Sequence, residues 1–164
     1  MRDPHGSTHE LVDSYLREAG QRVGVSLALD HKGVCGLQCA DDLTCGVVVL
    51  DEGTVGFFAP MLTVADGDGA RLFPLLLGRN IFSLQPIGAS LGFDASDNSV
   101  MFSLPLTLDG LDPTLFSDRL ADFIAAAGQL KNELAGLVRE CADTQAGSSL
   151  QPSGPAALWS GLRA

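Results

Sequence analysis

From Phe116 to Leu137 the chain makes the same demand seven times. Phe116, Leu120, Phe123, Ala127, Leu130, Leu134 and Leu137 follow one another at steps of 4, 3, 4, 3, 4 and 3, the spacing that aligns on one side of an α-helix. Asp112-Pro113 stands just ahead as helix cap and first helical residue, with Leu111 and Phe116 placed as a hydrophobic staple. A stripe of this length must lie against something apolar. Ala127 and Gly128 thin it too much for a good coiled-coil seam, so it predicts a helix laid over a sheet.

The sheet comes from the middle of the chain. In TCGVVVLDEGTVGFFAPMLTV two β-rich blocks, Cys45 to Leu50 and Val55 to Val64, flank Asp51-Glu52-Gly53 and read as a hairpin. A strand from Val34 to Cys39 completes a three-stranded meander, and Pro60 requires an edge position or a bulge. Two later strands, Gly88 to Asp94 and Ser99 to Leu106, are joined at Ser96-Asp97-Asn98. Ser7 to Val23 is an amphipathic helix, with Leu11, Val12, Tyr15, Leu16 and Ala19 on its apolar side. Between the strand groups, FPLLLGRNIFSL (Phe73 to Leu84) predicts a short helix, apolar over most of its circumference, with Pro74 in its first turn. That stretch is too short to span a bilayer, which takes roughly 20 apolar residues.

The predicted order is therefore α-β-β-β-α-β-β-α, an α+β domain with a mostly antiparallel sheet covered by helices. Its expected extent is residues 1–142. Residues 143–164 turn to Gly, Ser, Pro and Gln without a period and read as a flexible C-terminal tail, with Trp159 either a loose anchor or only a remnant.

The chemistry of the chain is sparse. Twenty acidic residues against ten basic ones give a formal charge of −10, which disfavours nucleic acid and anionic membrane as partners. Cys35, Cys39, Cys45 and Cys141 match no common zinc spacing, and the start MRDPHGSTHE has no apolar secretory core. Free thiols in a reducing cytoplasm follow as the expectation. Asp66-Gly-Asp68-Gly69 opens like a calcium loop, but Ala70, Arg71 and Leu77 occupy later positions that need ligands or glycine. Gly88-Ala-Ser-Leu-Gly92 lacks the Lys and the helix start of a phosphate cradle. His5, His9 and His31 fall in no catalytic pattern. No enzyme, metal or cofactor is expected.

Three stretches together resemble class I type III secretion chaperones of the CesT/SycE type. LLLGRNIF (75–82) is similar to that family's Leu-Leu-x-x-Asn helix end. GASLGFD (88–94) is similar to its Gly-x-x-Leu-Gly-Asp-like strand, and LPLTLDGLDPTLFSDRLADFIAAA (104–127) to its passage from strand to last helix. The resemblance covers roughly residues 7 to 140; Pro74, Gly78 and the long tail depart from it.

What the resemblance implies is a non-enzymatic homodimer of the bacterial cytoplasm. It would bind the N-terminal segment of a secreted effector, keep it soluble and export-competent, and aid its delivery to the secretion ATPase. Leu72, Leu75, Leu76 and Ile81 would form the dimer contact; Leu11, Tyr15, Leu16, Phe93 and Phe102 would touch the client. For each of these the competing role is plain core packing. The alternative reading is a regulatory or adaptor protein of the same fold that binds a folded partner, and a third is a small-molecule enzyme whose site assembles only in space.

Overall fold

The computed structural model describes residues 4–82 and 88–148. Along the chain run α1 (Pro4–Val23), β1 (Val34–Gln38), β2 (Thr44–Asp51), β3 (Thr54–Thr63), α2 (Gly69–Phe82), β4 (Ser90–Asp94), β5 (Ser99–Thr107) and α3 (Pro113–Ser148). The five strands form one antiparallel sheet in the order β1-β2-β3-β5-β4. The meander β1-β2-β3 and the hairpin β4-β5 are both present, and α2 bridges them.

Side chains alternate across a strand, so register decides which residues share a face. Val47 stands opposite Phe57, Phe57 opposite Leu104, Ala59 opposite Phe102, and Leu91 opposite Phe102. All of these are buried on one face, against the helices. Five rings run through this layer. Tyr15 of α1 meets Phe116 of α3 at 5.5 Å, Phe116 meets Phe57 of β3 edge-on at 5.4 Å, and Phe57 meets Phe123 at 5.8 Å. Phe123 then stacks on Phe102 of β5 at 4.9 Å with the planes 8° apart. The predicted stripe of α3 is thus the lid of the sheet: Phe116, Leu120, Phe123, Ala127, Leu130 and Leu134 are all buried.

Caps and turns hold these layers in place. The Asp112 carboxylate accepts from Leu115 N–H at 2.8 Å, and the Asp112 carbonyl accepts from Phe116 N–H, as an N-cap should. Tyr15 reaches past the core to donate its hydroxyl to the Leu111 carbonyl at 2.7 Å, fastening α1 to the approach of α3.

Two expectations change. Pro74 does not sit in the first turn of its helix. Leu72 N–H already closes on the Asp68 carbonyl at 3.0 Å, so α2 starts at Gly69 and Pro74 lies in the second turn, where it removes a ladder bond. The last helix also runs past residue 142 to Ser148. Arg139, Glu140, Ala142 and Gln145 are good helix formers and favour this continuation. Residues 149–164, with Trp159, lie outside the described residues. Pro60 meets its requirement through a bulge between Pro60 and Leu62, beyond the end of the β2–β3 register at Phe58.

Because Phe123 joins α3 to two central strands, Phe123→Ala should lower stability by about 3–5 kcal/mol. Denaturant unfolding at matched protein concentration would measure it; a loss under about 1 kcal/mol would show that the ring cluster does not bind the layers.

Candidate functional site

The three helices share the inner face. α3 touches it through Phe116 and Phe123, α1 through its contact with α3 and β2, and α2 through the Phe73–Phe93 ring pair at 4.9 Å. Among the described residues no helix packs on the opposite face. That outer face carries Gly36 opposite Gly46, Gly46 opposite Phe58, Val48 opposite Gly56, Gly56 opposite Pro105, and Pro60 opposite Met101. Its large side chains lie flat over glycines. A Cβ on Gly46 would fall 2.2 Å from the Phe58 ring, and one on Gly56 would crowd Leu50 and Val48 at 3.2 and 3.3 Å. The result is a smooth layer of glycines and apolar side chains, interrupted by uncharged polar residues such as Ser103, which stands opposite Phe58 and Ser90. Although the chain carries a net −10, charges reach this face only at its rim, at Asp51 and Asp94.

A second exposed apolar surface belongs to α2. Leu72 and Leu76 point inward, while Leu75, Leu77 and Ile81 are 43%, 63% and 54% exposed. Pro74, Leu75, Gly78 and Ile81 follow one another at helical spacing on the solvent side, and nothing lies within 4 Å of where a Gly78 Cβ would be. Beside it, Phe73, Leu76, Leu77, Leu91, Phe93 and Val100 line a groove of about 300 Å³ between α2 and β4.

At that groove Asn80 does the work of a strand. Its amide donates to the Leu91 carbonyl at 3.0 Å, and its carbonyl oxygen accepts from Leu91 N–H at 2.8 Å. Leu91 lies in the edge strand β4, so one side chain occupies backbone groups that an incoming strand would need. Arg79, next to it, pairs with Glu133 of α3 at 2.9 Å and so steadies α2 from the other side.

Residues 14–131 match the family model described as Tir chaperone protein (CesT) family. The chain belongs to that family. This CesT-family protein is a class I type III secretion chaperone, a protein that binds secreted effectors. Its fold is shared by solved structures of low identity. In the ExsC–ExsE complex the matching chain is 21% identical, with 76% of this chain and 93% of that one covered at a TM-score of 0.63. In the HopA1–SchA chaperone–effector complex the figures are 12%, 77%, 97% and 0.60. In the ExoT–SpcS complex from Pseudomonas aeruginosa they are 18%, 73%, 96% and 0.54. No curated protein sequence matches the chain.

The chaperone's structure separates the residues first considered for its contacts. Tyr15, Leu16 and Phe102 are core side chains, Leu16 and Phe102 with no exposed surface at all. They have nothing to offer a client, because strand and helix faces that read equally apolar in sequence are sorted only by packing. Leu72 and Leu76 are buried beneath α2 in the same way. Leu11, Phe93, Leu75 and Ile81 remain exposed. Asn80 was visible as the end of the Leu-Leu-x-x-Asn motif, though its clamp on β4 was not. The outer face left a fainter signal: one glycine inside each of three successive strands, Gly36, Gly46 and Gly56.

Removing the clamp should be measurable. Asn80→Ala deletes two hydrogen bonds, each worth about 0.5–1.5 kcal/mol, and should speed amide exchange at Leu91. Unaltered exchange there would deny Asn80 its part in holding the edge.

Proposed function

We propose that the chaperone acts as a homodimer in the bacterial cytoplasm, holding the N-terminal segment of an effector in extended form across the outer sheet face. The observation that carries this reading is a nearly uncharged sheet face, with Val48, Phe58, Pro60 and Met101 on it, left open in a chain of net charge −10. An acidic body stays soluble while one face remains able to take apolar side chains from a partner without a compact fold. A client strand can bury alternate side chains there, or pair with backbone at a sheet edge. The HopA1–SchA chaperone–effector complex joins a chain of the same fold to a secreted partner, which supports this use.

The dimer contact in this reading is the solvent side of α2. Leu75, Gly78 and Ile81 provide an apolar stripe with glycine at its centre, and a glycine lets two helix backbones approach closely. A two-fold axis through that stripe would bury the same residues on both subunits. The earlier contact set thus narrows to Leu75 and Ile81, joined by Leu77. Delivery of the client to the secretion ATPase follows as the last step of the reading.

Two substitutions test the two surfaces separately. Ile81→Asp is exposed and should leave the fold intact while light scattering falls from dimer to monomer mass; a persistent dimer would move the interface elsewhere. Phe58→Glu should keep the dimer but reduce co-purification of an effector N-terminal segment at least tenfold, the effect of a desolvation cost of about 1.4 kcal/mol. Undiminished retention would remove the outer face from the client's path.

A further inference from the structure

Cys45 lies between two other cysteines. On the inner face of the β1–β2 ladder it stands opposite Leu37, which puts Cys35 and Cys39 on its two diagonals. The diagonals are not equivalent. Cys39 lies near enough to Cys45 to shift its titration, whereas Cys35 sends its Sγ toward the Gly36 carbonyl at 3.9 Å. Their electrostatic settings differ as well. Burial, followed by the charges of Asp13 and Asp30, pushes the Cys35 thiol up and keeps it protonated.

The other pair faces a cation. Lys131 of α3 donates its ammonium to the carbonyls of Asp42 at 2.8 Å and Asp41 at 3.3 Å, and its charge offsets only a small part of the burial that pushes the Cys45 thiol up. Cys39 is half-buried, and with Leu43 and Lys131 it lines an opening of about 340 Å³ between the β1–β2 turn and α3. Cys45 is buried behind it. The turn itself places Asp41 and Asp42 in left-handed backbone, at φ 56° and 55°. It is closed by Leu43 N–H donating to Ala40 and Cys39 N–H donating to Leu43. A small oxidant entering from solvent therefore meets Cys39 first, with a second thiol within reach.

We propose that Cys39 and Cys45 form a reactive dithiol that peroxides oxidise to an intrachain disulfide. The Cys39 thiolate attacks one oxygen of the peroxide, the O–O bond breaks, and Cys39 becomes a sulfenic acid as hydroxide leaves. Cys45 sulfur then attacks Cys39 sulfur; the S–S bond forms, the S–O bond breaks, and the Cys45 proton departs with the hydroxyl as water. Two thiols lose two electrons and two protons, and hydrogen peroxide is reduced to two waters. Cys39, half-buried and lining the opening, is the attacking sulfur, and the buried Cys45, whose thiol is pushed up to about 12 by burial and the neighbouring Cys39, is the resolving one. Diagonal partners sit farther apart than a disulfide prefers, so closure requires the backbone at Cys39, just past the end of β1, to shift along β2, and it leaves a bond that thiols readily reduce.

The test treats the full chain, with its four cysteines, with hydrogen peroxide and counts free thiols after denaturation. Two thiols should disappear and the intact mass should fall by about 2 Da, both reversed by dithiothreitol. Cleavage before Asp41 separates the two cysteines, so the linked peptides identify the pair. Cys35→Ser should still lose two thiols, and Cys39→Ser none under the same exposure. The proposal fails if wild type keeps all four thiols, if its mass rises by added oxygen instead of falling, or if Cys39→Ser loses two thiols regardless.

Discussion

The stacked contact between Phe123 and Phe102 decides how this chaperone is built. It presses the last helix onto the two central strands, and through Phe57 and Phe116 the same ring cluster reaches Tyr15 and the first helix. Each ring removes a large apolar surface from water, and their tilted and stacked arrangements add to that gain. Once α3 lies across β3 and β5, α1 has only the flank of α3 and β2 to pack on. The helices are thereby committed to one side of the sheet.

That commitment creates the functional surface by omission. A five-stranded antiparallel sheet can face water on one side, but such a face is ordinarily polar. Here it carries almost no charge: glycine, valine, phenylalanine, proline and methionine lie among a few small or uncharged polar residues, with Ser103 opposite Phe58 and Ser90. Glycine in a strand costs stability, and each of β1, β2 and β3 carries one on this face; Gly46 and Gly56 make room for Phe58 and for Val48 and Leu50 to lie flat. The β4 edge is treated differently: Asn80 occupies the backbone groups of Leu91, as a protein does when an edge is to be kept from indiscriminate pairing.

Much of this was legible in the chain. The 4-and-3 stepping of Phe116 to Leu137, the Asp112-Pro113 start and the Asp51-Glu52-Gly53 turn each carry a local physical signature, and each lies where expected. Contact roles were less legible, because they depend on which side of an element faces the core. Leu72 and Leu76 differ from Leu75 and Ile81 only by rotation about one helix axis, and the sheet that fixes that rotation is assembled from distant segments. Phe102 and Phe93 likewise share a pleat direction, yet one sits under α3 and the other at the rim beside α2. Pro74 misled for a simpler reason: a helix that begins at Gly69 can tolerate it one turn later than its best position.

The central claim is that the open sheet face receives the effector. Site-specific photocrosslinking during co-expression with an effector N-terminal segment tests it most directly. One probe would replace Leu50, exposed on the outer face, and another Leu115, exposed on α3. Crosslinks from position 50 and none from position 115 are expected. Crosslinks from position 115 alone, or equal yields from both, would contradict the account.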